Sequence, residues 1–283
     1  MTQPGLIYDI GAHQGDDTGW YLQQGFRVVA VEANPLLAQK LEQQFSQAIG
    51  EGKLIVVNTA ITGKDNETIP FYISKEDGRS STLKHLAERD GHLVKTIDVT
   101  TARLSSLFTK YGTPYYCKID IEGNDALAIN SLVNQTEIPR YLSCEHSCFS
   151  IEQINTDRSL LYGNLDLLHA AGFTAFQLID QDSLLPLTAN KHYSRIHSLY
   201  ARVRTKLERI TGLYTARYNN RLKMAQKRAT ISGLTTAPFG DQLPNVWASY
   251  ETTRQYLEFH FNDYYVHTQN KQLTFWVDIH ARH

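Results

Sequence analysis

The sequence predicts an α/β fold: a parallel sheet wrapped by helices, with a mainly helical insertion before its last strand. Three observations predict it. Across the first 180 residues, short apolar β-rich runs alternate with helical patterns. The first of these runs ends at Asp9-Ile10 and leads into a turn with two glycines, Gly11 and Gly15, that opens a helix, the layout of a nucleotide loop. A last strand-like run, at 273–281 within "LTFWVDIHAR", arrives after a long detour and most simply pairs with the sixth strand.

In order, strands are expected at Leu6–Ile10, Arg27–Val31, Leu54–Asn58, Tyr115–Ile119, Tyr141–Glu145 and Thr174–Ile179. Helices fill the gaps at Thr18–Gln24, Pro35–Ile49, Asp125–Val133 and Arg158–Ala171. Pro35 suits a first helical turn, and Leu37, Leu41 and Phe45 recur on one face behind it. Gly25 and Gly172 fall where helices stop. Between the third and fourth strands lies an excursion, Ile69–Ser74 and Val94–Val99, which reads as two extra strands around the polar loop "EDGRSSTL". Ser80 and Ser81 in that loop belong either to a lid over a substrate or to a plain connection.

From 182 to 270 the alternation breaks. The chain therefore divides into one domain at 1–181 and 271–283 and an insertion at 182–270, expected to cap the acceptor. Within the insertion, Leu199, Val203, Leu207, Ile210 and Tyr214 recur at helical spacing. From Arg195 to Arg228 there are ten Lys/Arg and one acid, Glu208, a local +9 in a chain whose net charge is −1. That segment is a solvated helix face, a surface for an acidic or phosphorylated small molecule, or, least favoured, a nucleic-acid or membrane surface. An aromatic helix from Tyr250 to Phe261 follows. Tyr214, Tyr218, Phe239 and Trp247 either stack on a sugar ring or form the insertion's own small core.

With 283 residues, 42% of them hydrophobic and 20% charged, the chain is long enough for a large core. No run approaches the roughly 20 apolar residues of a membrane span, and the N-terminus lacks a basic-then-apolar signal. Cys117, Cys144 and Cys148 sit in apolar, strand-like runs rather than in a disulfide pattern, which implies a reducing, cytoplasmic setting. The N-x-T sequons at Asn66 and Asn134 then carry no weight.

Three features carry the chemistry. The first is Asp9 at a strand end with Gly11 and Gly15 behind it, where His13 replaces the middle glycine of a dinucleotide loop. The second is Glu32, at the end of the second strand and placed to accept both hydroxyls of a ribose, with Ala33 beside it. The third is "KIDIEGND", from which Asp120 and Glu122 emerge at the C-terminal edge of the fourth strand, where ligands of open α/β sheets sit. Asp16 and Asp17 in the helix's first turn would repel a pyrophosphate. They suit a ligand with a cationic end, such as the sulfonium and ammonium of S-adenosylmethionine. In the "NTAIT" run, Asn58 and Ala60 fall where an adenine would lie.

"DIGAHQGDDTGWYLQQGFRVVAVEANP", "GRSSTL", "YCKIDIEGND" and the terminal "WVDIHAR" resemble the FkbM family of S-adenosylmethionine-dependent methyltransferases. The resemblance covers about 1–180 and 273–281. It implies a class I methyltransferase (Rossmann-like) fold, a seven-stranded sheet with an antiparallel last strand. It also implies methylation of a hydroxyl on a sugar or secondary metabolite. Two departures mark a subgroup: Ala33-Asn34-Pro35 stands where the family usually has Pro directly after the acid, and His13 replaces a common Asn.

The expected cofactor ligands are Asp9, Gly11, His13, Gly15, Glu32, Ala33, Asn58, Ala60 and Asp120. Asp9 has the competing role of capping the next turn. Because a sugar hydroxyl attacks only as its proton leaves, Asp120, Glu122 or His146 is expected to act as base. In the competing reading, Asp120 only positions cofactor and Glu122 caps the next helix. A zinc site at Cys144, His146 and Cys148 lacks a fourth ligand, and a divalent ion on Asp120, Glu122 and His146 is a minor reading, so no metal is expected. His280 lies at the pocket mouth or on the surface. The competing functions are a nicotinamide-dependent oxidoreductase and a non-catalytic protein that binds an anionic ligand or nucleic acid.

Overall fold

The computed structural model describes residues 3–75, 80–88, 93–146, 151–180, 185–188, 239–268 and 277–283. Its central sheet runs β3 (Leu54–Asn58), β2 (Arg27–Glu32), β1 (Gln3–Ile10), β7 (Pro114–Ile119), β8 (Tyr141–Glu145), β11 (Val277–Arg282), β9 (Ala175–Asp180) and β10 (Leu185–Pro186). β1 pairs in parallel with β2 and β7, and β11 runs antiparallel between β8 and β9. These are the seven strands expected, in the class I methyltransferase order, with the last strand reversed. β10, two residues antiparallel to β9, is an eighth that short length hid from the sequence. The reversal of strand order falls between β1 and β7, where open α/β sheets bind ligands.

The apolar runs of the inner strands have no polar alternation because both of their faces are covered. On one face α1 (Asp16–Gln23) and α2 (Pro35–Gln44) close over Ile7, Val28, Ala30 and Tyr116. On the other, α5 (Leu104–Tyr111), α6 (Asp125–Asn130), α8 (Gly163–Ala170) and α9 (Tyr250–Thr268) close over Tyr8, Ile10, Val31, Cys117 and Ile119. The excursion is a small second sheet. In it β6 (Leu93–Ala102) lies between β4 (Ala60–Ile61), which is parallel to it, and β5 (Thr68–Ser74), which is antiparallel.

Two expected helices are broken. The one expected at Pro35–Ile49 bends at Phe45 into α2 and a short α3 (Ser46–Gly50). That at Arg158–Ala171 is a 3₁₀ turn, Arg158–Leu161, followed by α8. The break falls at Gly163, a poor interior helix residue, and the Leu161 carbonyl is bound by the His146 ring rather than by a helical N–H. A turn at Lys84–Ala87 is α4 and a turn at Ile151–Thr156 is α7; neither was expected.

The described part of the insertion is a buttress. Phe239 is 2% exposed and stacks on Tyr116, with Tyr21 and Phe26 against its edges. Trp247 lies beside Tyr141 and under the Arg282 guanidinium. These contacts sit at the N-terminal edge of the parallel strands, away from the ligand edge, so both aromatics serve the core rather than a sugar. α9 buries Leu257 and Phe261 in the main core. Its Glu258 accepts from Arg158 at 2.6 and 3.1 Å and from Tyr162 Oη at 2.5 Å. The basic helix, Tyr214 and Tyr218 lie outside the described residues, and with them the cap expected of 182–270.

Candidate functional site

The loop after β1 is built around three residues at positive φ: Gly11 (87°), His13 (50°) and Gly15 (86°). The N–H groups of Gly11 and Ala12 both donate to the Val31 carbonyl, at 2.9 and 3.0 Å, hooking the loop over β2. A Cβ on Gly11 would lie 1.9 Å from the Asp120 carbonyl oxygen. Glycine is needed there because the loop presses against the end of β7. A Cβ on Gly15 would meet Leu41 at 2.5 Å and Phe45 at 2.7 Å, so that glycine serves the packing of α1 on α2.

Glu32 is 7% exposed and held at both oxygens. Oε2 accepts from the His13 N–H and Oε1 from the Asn34 N–H, each at 2.8 Å. The left-handed turn at His13 is what aims its N–H at Glu32. Burial raises the Glu32 carboxyl above its ordinary value, and the two N–H groups pull it back. Each oxygen keeps a second lone pair for a ligand hydroxyl.

Sequence reasoning missed Lys118. Its ammonium contacts Asp17 at 2.5 Å and Asp120 at 3.2 Å. Burial pulls its pKa down, but Asp120, Asp9 and Asp17 outweigh that and hold it well above the ordinary value. Asp9, fully buried, accepts from Thr18 Oγ1 at 2.6 Å. Burial pushes its carboxyl up to about 6, against the pull of Lys118. The signal for Lys118 was its parity with Asp120: two residues apart on a strand, the pair shares one face.

A cavity of about 330 Å³ opens at the C-terminal ends of β1, β2 and β7, within the range of small-ligand sites. Gly11, His13, Glu32, Ala33, Ala60, Asp120 and Glu122 line it, as do Asp16, Asp17, Thr59 and Lys118. Among the described residues, five carboxylates thus face one lysine. Leu37, Ile61 and Phe71 give one wall apolar character. The excursion closes over the site. Ser80 and Thr82 line the cavity, and Ser81 is buried and donates to the Glu122 carbonyl at 2.8 Å. Thr82 is also bonded to Asn124. Glu122 stands at φ 48°, held in that left-handed turn by the Ser81 contact.

Four expected site residues do not line the cavity. Asp9 and Gly15 support the loop from beneath. Asn58 Nδ2 donates to the Glu32 and Ala33 carbonyls at 2.8 and 3.1 Å, fixing the β2–α2 turn, and Thr59 takes the lining position. His146 is 2% exposed, and its Nε2 lies 2.7 Å from the Leu161 carbonyl. A carbonyl can only accept, so Nε2 carries the proton, and burial pulls the ring down to about 4. Alternation along β8 puts His146 and Cys144 on the face opposite Glu145, so His146 does not join Asp120 and Glu122. Cys148 lies outside the described residues. Among the described residues no group of three or more His, Cys, Asp or Glu is arranged to hold a metal, and no helix is long and apolar enough to cross a membrane.

The model of the "Methyltransferase FkbM domain" family matches residues 9–176. No curated protein matches the chain. Similar solved structures include a methyltransferase FkbM from Methylobacillus flagellatus KT, at 14% identity and TM-score 0.35. That match covers 59% of this chain, and this chain spans 39% of that protein's length. A TehB-like SAM-dependent methyltransferase from Corynebacterium glutamicum has 12% identity, coverage of 67% and 77%, and TM-score 0.36. Phosphoethanolamine N-methyltransferase 2 of Haemonchus contortus, in complex with S-adenosyl-L-methionine, has 9% identity, coverage of 100% and 49%, and TM-score 0.39. At such scores these likenesses bear on neither substrate nor mechanism. The sheet order, the Glu32 carboxylate oriented at the switch point and the family match agree with one another. The chain belongs to the FkbM family of S-adenosylmethionine-dependent methyltransferases.

Proposed function

We propose that the protein transfers a methyl group to a hydroxyl of a sugar or secondary-metabolite acceptor. The observation that carries the reading is Glu32, whose two oxygens are fixed by backbone N–H groups in a cavity where, among the described residues, five carboxylates face one lysine. S-adenosylmethionine, bound there, supplies an electrophilic methyl on a sulfonium. Glu32 accepts the ribose hydroxyls, and Ala33, Leu37, Ala60 and Phe71 offer apolar surface to the purine. The excess of carboxylate favours a cationic ligand over the pyrophosphate of a nicotinamide cofactor.

Methyl transfer is an in-line displacement and gains most from positioning. Asp120 is held by Lys118 and orients the loop. Glu122, on the cavity wall, takes the proton of the attacking hydroxyl. Glu122→Gln should lower kcat about 100-fold or more while leaving affinity for S-adenosylhomocysteine within about threefold. Labelled methyl transfer over a panel of hydroxylated acceptors measures this. Wild-type kcat in the variant would remove Glu122 from the role, and transfer to amines alone would overturn O-methylation.

A further inference from the structure

Three neutral polar side chains, Ser80, Thr82 and Asn124, line the cavity beside Glu122 and have no part in the cofactor reading. Their placement starts at Ser81. Its N–H and carbonyl pair with Tyr72 of β5 at 3.1 and 2.8 Å. Its Oγ accepts from the Leu83 N–H at 3.0 Å and donates to the Glu122 carbonyl at 2.8 Å. Residues on either side of a residue paired in this extended way turn together to the other face, and both Ser80 and Thr82 reach the cavity.

The hydrogen bonds these residues already make fix what they still offer. Ser80 Oγ accepts from the Ser74 N–H at 3.1 Å, and Thr82 Oγ1 accepts from the Asn124 amide. With a lone pair engaged by an N–H, each hydroxyl keeps its own proton to donate. Asn124 stands at the N-cap of α6, where an Asn side chain ordinarily bonds a free N–H of the first turn. Here it is 4% exposed and makes no cap bond; Nδ2 goes to Thr82, which leaves Oδ1 as an acceptor.

The sheet sets where this group lies. The turn after β7 carries Glu122 and Asn124, and β7 is two strands from β2 and Glu32, about 10 Å. Glu32 is 7% exposed, whereas the Asp120 side chain is 46% exposed. The cavity is thus closed around Glu32 and open on the β7 side.

We infer that Ser80, Thr82 and Asn124 form the acceptor subsite, and that it takes an uncharged polyhydroxylated ring such as a hexose. The inference rests on the methyltransferase reading of this cavity and narrows its acceptor. Neighbouring sugar hydroxyls each donate and accept, and two O–H donors beside an amide oxygen match a pair of them. A compound with a single hydroxyl leaves part of that set unmet. The Asp120 and Glu122 carboxylates on the same wall oppose an anionic sugar.

The test is calorimetry on the full chain loaded with S-adenosylhomocysteine, titrated at millimolar concentrations with glucose, galactose, mannose, cyclohexanol and glucuronate. At least one hexose should bind about tenfold more tightly than cyclohexanol and glucuronate. Ser80→Ala and Thr82→Val should each weaken that hexose about tenfold, and Thr82→Ser should not. S-adenosylhomocysteine affinity should be unchanged in all three variants, which also shows that they fold. Cyclohexanol or glucuronate binding as tightly as the best hexose, or no hexose binding by the loaded protein, would overturn the inference. So would unaltered hexose affinity in Ser80→Ala or Thr82→Val, or a matching loss of S-adenosylhomocysteine affinity in them. Failure of the wild type to bind S-adenosylhomocysteine would instead overturn the methyltransferase reading.

Discussion

Gly11→Ala is the sharpest perturbation of the loop. The added Cβ would sit 1.9 Å from the Asp120 carbonyl oxygen and 2.9 Å from its carbon. Both are backbone atoms, so no side chain can swing away. Gly11 also holds φ at 87°, which costs an L-residue about 1–2 kcal/mol. Forced displacement of packed backbone adds about 1–3 kcal/mol. The sum, roughly 2–5 kcal/mol, corresponds to a fall in Tm of about 5–15 °C. Gly25→Ala is the control: its φ is 86°, but nothing lies within 4 Å of its Cβ. Its cost is the dihedral alone, about 1–2 kcal/mol. Differential scanning of the two variants therefore isolates the contact between loop and β7. Affinity for S-adenosylhomocysteine should fall in Gly11→Ala and hold in Gly25→Ala. Equal Tm shifts in the two would refute the argument that glycine is required by the approach of Asp120.

Two further predictions concern charge. Lys118→Met leaves Asp9, Asp17 and Asp120 without their shared cation, and should destabilise by about 3 kcal/mol. Because the Asp9 carboxyl is already raised to about 6, its favourable contribution is present below its unfolded pKa and lost as pH rises through the folded one. Denaturant melts of the variant should thus show a larger deficit at pH 8 than at pH 5, roughly neutral and weakly acidic conditions; an equal deficit would place the loss elsewhere. At α9, Arg158 and Tyr162 are among the groups that hold the Glu258 carboxyl down at about 2 against burial. Glu258→Gln should cost about 1 kcal/mol, discounted for exposure. The stabilisation is present above the ordinary glutamate pKa and lost as pH falls toward about 2, so wild type and variant should converge in acid. A constant gap would refute this.

The sheet was legible because its inner strands are short apolar runs between helices, and period alone distinguishes "RVVAVE" from the helical spacing of Leu37 and Leu41. The ends of strands were legible for the same reason, which is why Glu32, Asp120 and Glu122 reached the cavity wall as expected. α5 went unread although Leu104, Leu107 and Phe108 are helically spaced and buried, because it follows directly on the β-branched run of β6. Lys118 could not be weighed without the fold, since a lysine in a buried strand reads as an error until Asp9, Asp17 and Asp120 are brought to it. His146 misled for a related reason. Sequence put it near the carboxylates, but strand alternation turned its ring to the other face, onto Leu161.

The central claim is that Glu32 holds a ribose in a cavity made for a cationic nucleoside rather than a pyrophosphate. Calorimetry of wild type and Glu32→Ala, with S-adenosylhomocysteine and with NAD, tests it most directly. Loss of two charge-assisted hydrogen bonds should weaken S-adenosylhomocysteine by about 100-fold in the variant. The wild type should bind S-adenosylhomocysteine and not NAD; preference for NAD, or S-adenosylhomocysteine affinity unchanged in Glu32→Ala, would contradict the account.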